Sequence, residues 1–345
     1  MVGFGEIARR ARGRRSGRLE SLPILALSVH SACNCRCVMC DIWRIRQVRE
    51  ISRQDLEPHL FSLRALKVKW IVFSGGEPLM HSDLASLSRL LRAEGIHLTL
   101  LTAGLSLERH AATVIDAVDD LIVSIDGPPD VHDQVRGVAG ACRQLARGIT
   151  AVRSLRPNVP IHGRCTVQKR NCRSLRNTVL TSRDLALNSI SFLAADVTSS
   201  AFNRAESWPL ERQEEIALNN DDADALEREI EALILEHEQG INSGFIVERP
   251  DKLRRIARHF RARVEQALPP APRCNAPWVS AVIEADGTVR PCFFHNPVGN
   301  IHERSLFDIV NGDNAVSFRQ NLDVANNPTC RNCVCSLFLP RTEVA

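Results

Sequence analysis

Cys33-Asn34-Cys35-Arg36-Cys37-Val38-Met39-Cys40 follows directly on the apolar run Pro23-Ile24-Leu25-Ala26-Leu27-Ser28-Val29. A short, continuous apolar run reads as a strand buried on both faces, and its far end is where such a strand presents chemistry. The arginines before the run give it a loose likeness to an export signal. The run is short for one, it contains Ser28, and His30 stands where a small residue belongs, so the strand is the better reading. Within the cluster, Cys33, Cys37 and Cys40 are close enough to wrap soft iron as thiolates. Three protein ligands leave one iron of a four-iron cubane open for another molecule. A zinc knuckle is the alternative and needs a fourth ligand, for which Cys35 is at hand.

Moving outward, further strands are expected at 69–74, 97–102, 121–125, 160–167 and 189–194. Helices are expected between them at 53–66, 83–94, 106–117, 140–154 and 173–185. Alternation in this order predicts an α/β fold, a parallel sheet covered by helices and either open or curled into a partial barrel. Ligands then gather at the carboxyl ends of the strands. Near residue 196 the rhythm breaks. An amphipathic helix at about 222–239 and a second from Pro250 lead to the linker Pro269-Pro270-Ala271-Pro272. A cysteine-bearing unit with a hairpin signal at Asp286-Gly287 closes the chain. The expected divisions are a basic, disordered tail (1–21), a barrel (22–196), a helical insert (197–269) and a small α+β unit (270–345).

Composition narrows the function. Of 345 residues, 44% are apolar and 24% charged, ordinary for a globular protein. No apolar run approaches the ~20 residues of a membrane span. The net charge of +4 resides in the six arginines and two glutamates of residues 1–20, so the body is neutral and nucleic acid is not the expected partner. Seven of the twelve cysteines fall in two short clusters, the pattern of metal ligands in a reducing cytosol. With no tyrosine in the chain, no tyrosyl acid, base or radical is available.

A second element stands at the end of the second strand, Ser74-Gly75-Gly76-Glu77-Pro78. Paired glycines let backbone approach a ligand closely, and a strand end with a carboxylate can accept hydrogen bonds from an ammonium. Together with Cys-x3-Cys-x-Met-Cys at the end of the first strand, this resembles the radical S-adenosylmethionine (SAM) superfamily. The resemblance implies a partial (β/α)6 barrel and a [4Fe–4S] cluster on Cys33, Cys37 and Cys40, with SAM bound at its open iron. Met39 is then placed against the adenine, and Gly75, Gly76, Glu77 and Pro78 hold the methionine amine. Ser124 and Asp126 resemble a loop that reaches the ribose or methionine moiety. Thr102-Ala103-Gly104 matches a family Thr-Asn-Gly only in part. Arg164 is a candidate for the SAM carboxylate and Asp196 for substrate, while His132-Asp133-x2-Arg136-Gly137 is read as positioning a helix. The implied chemistry is one-electron cleavage of SAM and abstraction of a substrate hydrogen by the resulting 5′-deoxyadenosyl radical.

Cys274, Cys292, Cys330 and Cys333, with Gly287-x4-Cys292 among them, resemble the SPASM/twitch appendage of that superfamily. They suffice for one auxiliary [4Fe–4S] cluster, which, fully ligated, would serve as an electron relay; a four-cysteine zinc site is the alternative. Cys335 is an extra that can exchange with Cys333, and Cys142, Cys165 and Cys172 read as ordinary thiols. The expected task is oxidation or rearrangement of a small biosynthetic intermediate. A peptide or protein maturase is the alternative, set back by the lack of a leader-recognition domain ahead of the barrel. A non-catalytic cluster-sensing protein is the reading from another class. Expected partners are the substrate and an electron donor such as flavodoxin or ferredoxin, and the expected location is cytoplasmic.

Overall fold

The computed structural model describes residues 4–202, 204 and 206–340. Six strands, β1 (Ile24–His30), β2 (Trp70–Gly75), β3 (His97–Thr102), β4 (Asp120–Ser124), β5 (Ile161–Val167) and β6 (Ser189–Ala194), lie parallel in sequential order. Helices bury the outer face of the sheet, while alternate residues such as Ala26, Val72 and Ile122 are half-buried and face the barrel interior, so β2, β4 and β5 alternate buried and half-buried positions. Phe73, Phe192, Leu25, Leu27 and Ile71 are among its fully buried side chains. The sheet is open, as a partial barrel must be.

Both exposed edges are dealt with, and by segments that sequence reading left apart from the barrel. On one side β7 (Ser280–Ile283) pairs parallel with β1, Leu27 opposite Ile283. The antiparallel strands β8 (Thr288–Arg290) and β9 (Gly299–Asn300) follow, joined to β7 through Gly287 at φ +82°. The C-terminal unit therefore extends the main sheet and shares one continuous core with it. On the other side, residues 245–248 cover β6: Ile190 N–H donates to the Phe245 carbonyl and Phe192 N–H to buried Glu248. Covering an edge in this way satisfies donors that would otherwise invite another chain. The helices Asn220–Glu236 and Pro250–Val264, which flank that segment, pack on each other.

Two expectations are corrected. The basic tail is ordered from residue 4: Phe4–Ser16 is a helix docked on the C-terminal unit. Its charge is absorbed by local partners, with Arg9 and Arg10 on Glu6 and Arg10 also donating to the Pro340 carbonyl. The chain after it is clamped: Arg319 donates to the Gly17 carbonyl, and the Asn311 side chain bonds both backbone groups of Leu19. Residues 1–3 of that tail lie outside the described residues. The helix expected at 53–66 is three short pieces, Arg53–Leu56, Glu57–His59 and Leu60–Ala65, broken around Pro58, which offers no backbone N–H. No helix among the described residues is long and apolar enough to cross a membrane.

Candidate active site

The cysteine loop and the glycine loop lie against each other. Gly76 N–H donates to the His30 carbonyl (2.8 Å) and Glu77 N–H to the Ala32 carbonyl (2.9 Å). The approach is so close that a Cβ on Gly76 would sit 2.0 Å from the Ala32 carbonyl oxygen, and Gly75 adopts φ +113°. Only glycine meets both demands. Cys33, Cys35, Cys37 and Cys40 form one small nest with Met39 and Ala103. Two of the thiols also accept backbone hydrogen bonds, Cys33 from Cys35 N–H and Cys40 from Ile42 N–H.

Glu77 does not face the cavity. Its carboxylate is fully buried and accepts from Thr102 Oγ1 (2.7 Å), Ala103 N–H (2.8 Å) and Leu79 N–H (3.1 Å). Burial raises its pKa, and the hydrogen bonds oppose that. Ser74, Gly75 and Gly76, by contrast, do line the cavity. Glu77 ties the glycine loop to the end of β3, and Pro78 is buried at the start of the next turn. The partial match Thr102-Ala103-Gly104 also resolves. The Thr102 hydroxyl and the Ala103 backbone amide both serve Glu77.

Asp126 is likewise turned inward. Its fully buried carboxylate meets Arg136 Nη2 at 2.5 Å and accepts from Thr166 N–H at 2.9 Å. Arg136 in turn donates from Nη1 to Cys37 Sγ (3.6 Å), and its backbone carbonyl accepts from Arg36 N–H. Gly137, at φ +64°, lets the Arg36 carbonyl come within 2.4 Å of where a Cβ would stand. Asp126 therefore acts on the cysteine loop through Arg136. The Cys37 thiol is shifted down, first by its hydrogen bond with the Cys35 thiol and further by the charge of Arg136. Thiolate is the form that ligates metal.

Asp196 is corrected too. It is buried against Arg204, 2.7 Å away, and leaves no free carboxylate for substrate. Arg204 also donates to the Met39 carbonyl and lies over the Trp208 ring, 3.8 Å from its centre, while Trp208 Nε1 donates to Asp41 (2.5 Å). These contacts strap Asp196, Arg204 and Trp208 onto the cysteine loop. Met39 packs on the strap, and its sulfur accepts from Gln168 Nε2 at 3.7 Å.

Cys274, Cys292, Cys330, Cys333 and Cys335 line one cavity of about 220 Å³ together with inward residues of the barrel such as Ala26, Val72 and Ile122. Burial pushes the Cys292 thiol up to about 11 and that of Cys330 up to about 12. Buried thiols crowded together resist ionisation unless a cationic centre takes them as ligands, so this donor set fits an iron–sulfur group. Among the described residues no three His, Cys, Asp or Glu groups converge tightly enough on one point to hold a single ion. Arg164 lines this same cavity and donates to Ser191 Oγ (3.2 Å). Ser124, beside it in register, is half-buried at the end of β4.

A larger cavity of about 580 Å³ opens between the glycine loop and the β7–β8 hairpin, and it shares Ser74, Phe293, Phe294 and His295 with the smaller one. The two cavities are therefore neighbours, one at the strand ends of β1 and β2 and the other at the C-terminal cysteines. Glu284, Asp286 and Arg290 enter the wall of the larger one from the hairpin. The Asp286-Gly287 turn was the only signal in the sequence pointing to them, and it said nothing of where they face.

A family profile described as the radical SAM superfamily matches residues 27–167, and one described as an iron–sulfur cluster-binding domain, SPASM, matches residues 274–334. The chain is 28% identical to Fe-coproporphyrin III synthase of Methanosarcina barkeri over 45% of this chain and 40% of that protein. To AdoMet-dependent heme synthase of the same organism it is also 28% identical, over 47% of each. It therefore spans under half the length of these relatives. In fold it is similar to Streptococcus suis SuiB bound to precursor peptide SuiA, with a TM-score of 0.62 at 13% identity, covering 95% of this chain and 74% of that one.

Proposed function

Because the chain belongs to the radical SAM superfamily and carries a SPASM-type iron–sulfur domain, we propose that it cleaves SAM reductively to oxidise or rearrange a small molecule. Cys33, Cys37 and Cys40 would hold the SAM-binding [4Fe–4S] cluster, and Cys274, Cys292, Cys330 and Cys333 an auxiliary one. When bound, these groups and SAM supply one-electron carbon–sulfur cleavage and hydrogen abstraction from substrate. An electron donor such as flavodoxin or ferredoxin would reduce the enzyme.

The protein's part is placement. Backbone at Ser74–Gly76 offers carbonyls to an ammonium, while Glu77 holds that loop from behind. Arg136 supports Cys37, and the Arg204–Trp208 strap closes the Met39 side against water. The observation that carries this reading is the pair of hydrogen bonds from Gly76 and Glu77 to the His30 and Ala32 carbonyls, which set the glycine loop on the cysteine loop. A maturase acting on a peptide is the competing reading.

Anaerobic reconstitution should yield about eight irons per chain, as two cubanes. Dithionite and SAM should then release 5′-deoxyadenosine, and Cys33→Ala should abolish that release. Protein that takes up zinc in place of iron at the N-terminal cysteines and leaves SAM intact would overturn the proposal.

A further inference from the structure

Resting on the reading above, we propose that the substrate is a neutral, polyhydroxylated small molecule held by Glu284 and Arg290 of the β7–β8 hairpin. Glu284 follows β7 directly, and because Ile283 pairs with Leu27 it arrives beside Ser28 at the carboxyl end of the sheet. That is the end at which the glycine loop sits. The Ser28 hydroxyl donates to Glu284 Oε2 at 3.3 Å, and Arg290 Nε stands 3.4 Å from Oε1. Both contacts are long for charged partners. Arg290 is held further by donating from Nη1 to the His295 carbonyl. With side chains 37% and 30% exposed, the pair keeps lone pairs and N–H groups facing the 580 Å³ cavity.

Charge matching in the cavity wall argues for a neutral ligand. Arg290 faces Glu284, Arg49 pairs with Asp286 at 3.7 Å, and Arg204 pairs with buried Asp196. Every arginine described on this wall thus has its carboxylate, and a phosphate or a carboxylate-rich substrate would find no spare cation. Hydroxyl and amide side chains supply much of the remaining polarity, among them Ser31, Ser74, Gln47 and Asn296. A hydroxyl both donates and accepts, so adjacent hydroxyls on a ring suit a carboxylate set beside a guanidinium. Phe294 and Phe202, packed edge to face with centres 6.2 Å apart, add apolar surface for the C–H face of such a ring.

The test uses reconstituted, SAM-loaded full-length protein and four probes in equilibrium dialysis: glucose, myo-inositol, glucose 6-phosphate and a Gly/Ser/Ala hexapeptide. At least one neutral polyol should bind more tightly than the phosphate and the peptide, and Glu284→Gln should weaken it about tenfold, the loss expected for a hydrogen bond to a charged acceptor. Arg290→Lys, which keeps the charge but not the planar fork, should weaken it less; it carries the comparison if Glu284→Gln loses iron. Tighter binding of the peptide or the phosphate, or unchanged binding in both variants, overturns the inference. Wild-type protein that cleaves SAM yet binds neither polyol sinks the substrate class alone. Protein without iron or SAM cleavage sinks both readings.

Discussion

Arg136 donates to Cys37 Sγ at 3.6 Å while its other terminal nitrogen lies 2.5 Å from Asp126, so a cysteine of the first cluster loop is tethered to the end of β4 by a fully interior charge pair. Neither residue touches the cavity. Their effect on chemistry passes through the thiolate, whose donor strength and position a neighbouring hydrogen bond adjusts.

Arg136→Gln should therefore do two things. It leaves Asp126 as an uncompensated buried carboxylate, which costs about 3–5 kcal/mol of stability. It also removes support from a ligand, which lowers iron affinity roughly 10–100-fold. Urea unfolding of the apo chain reads the first effect, and iron retention against a chelator reads the second. Stability and iron retention both equal to wild type would refute the tether.

Gly76→Ala places a methyl 2.0 Å from a backbone carbonyl oxygen that has nowhere to go. The loop must part from the cysteine loop, so iron content and SAM binding should fall together. Gly95→Ala is the matched control: its φ is +71°, yet nothing lies within 4 Å of the added methyl. That variant should lose about 1–2 kcal/mol, the cost of an alanine in the left-handed region, and keep its iron. Iron assay of the two proteins, prepared side by side, decides the matter.

His132 is fully buried and accepts from Asp126 N–H through Nδ1 (3.2 Å). Burial, first, and the charge of Arg136 lower its pKa to about 4. Its unfolded value is higher, so between the two the unfolded chain binds more protons and stability falls as pH falls. From pH 7 to pH 5 this histidine should cost about 2 kcal/mol. Comparing wild type with His132→Gln in denaturant at both pH values isolates it; an equal acid loss in both proteins rules the group out.

Asn311 bridges the N–H and C=O of Leu19, joining the N-terminal segment to the C-terminal unit. Asn311→Ala strands both buried backbone groups, and about 2–3 kcal/mol should be lost. Thermal melts would show a drop of several degrees, and proteolysis would begin before residue 20. A melting temperature matching wild type would mean that the N-terminal helix is held by other contacts.

Much of the site was legible because its signals are local. Cysteine spacing, a glycine pair at a strand end and apolar runs of strand length each occupy a few residues, and together they placed both thiol groups and six strands. Misreadings cluster where a polar residue's direction mattered. Glu77, Asp126 and Asp196 each follow a strand and each looked ready for a ligand, yet all three are buried on internal partners: Thr102 with Ala103, Arg136, and Arg204. A carboxylate at a strand end reads the same in sequence whether it turns toward the cavity or behind the loop.

The sequence by itself determined where the two cysteine clusters lie along the chain and the succession of strands, since both follow from short-range spacing and side-chain period. Tertiary structure decided what faces the cavities. It laid β7 parallel to β1, brought Glu284 and Arg290 to the rim, folded the arginine-rich segment onto the C-terminal unit and covered β6 with residues 245–248. Each of these depends on pairing backbone groups or burying surface between segments far apart in the chain, and such pairing leaves no mark on either segment alone.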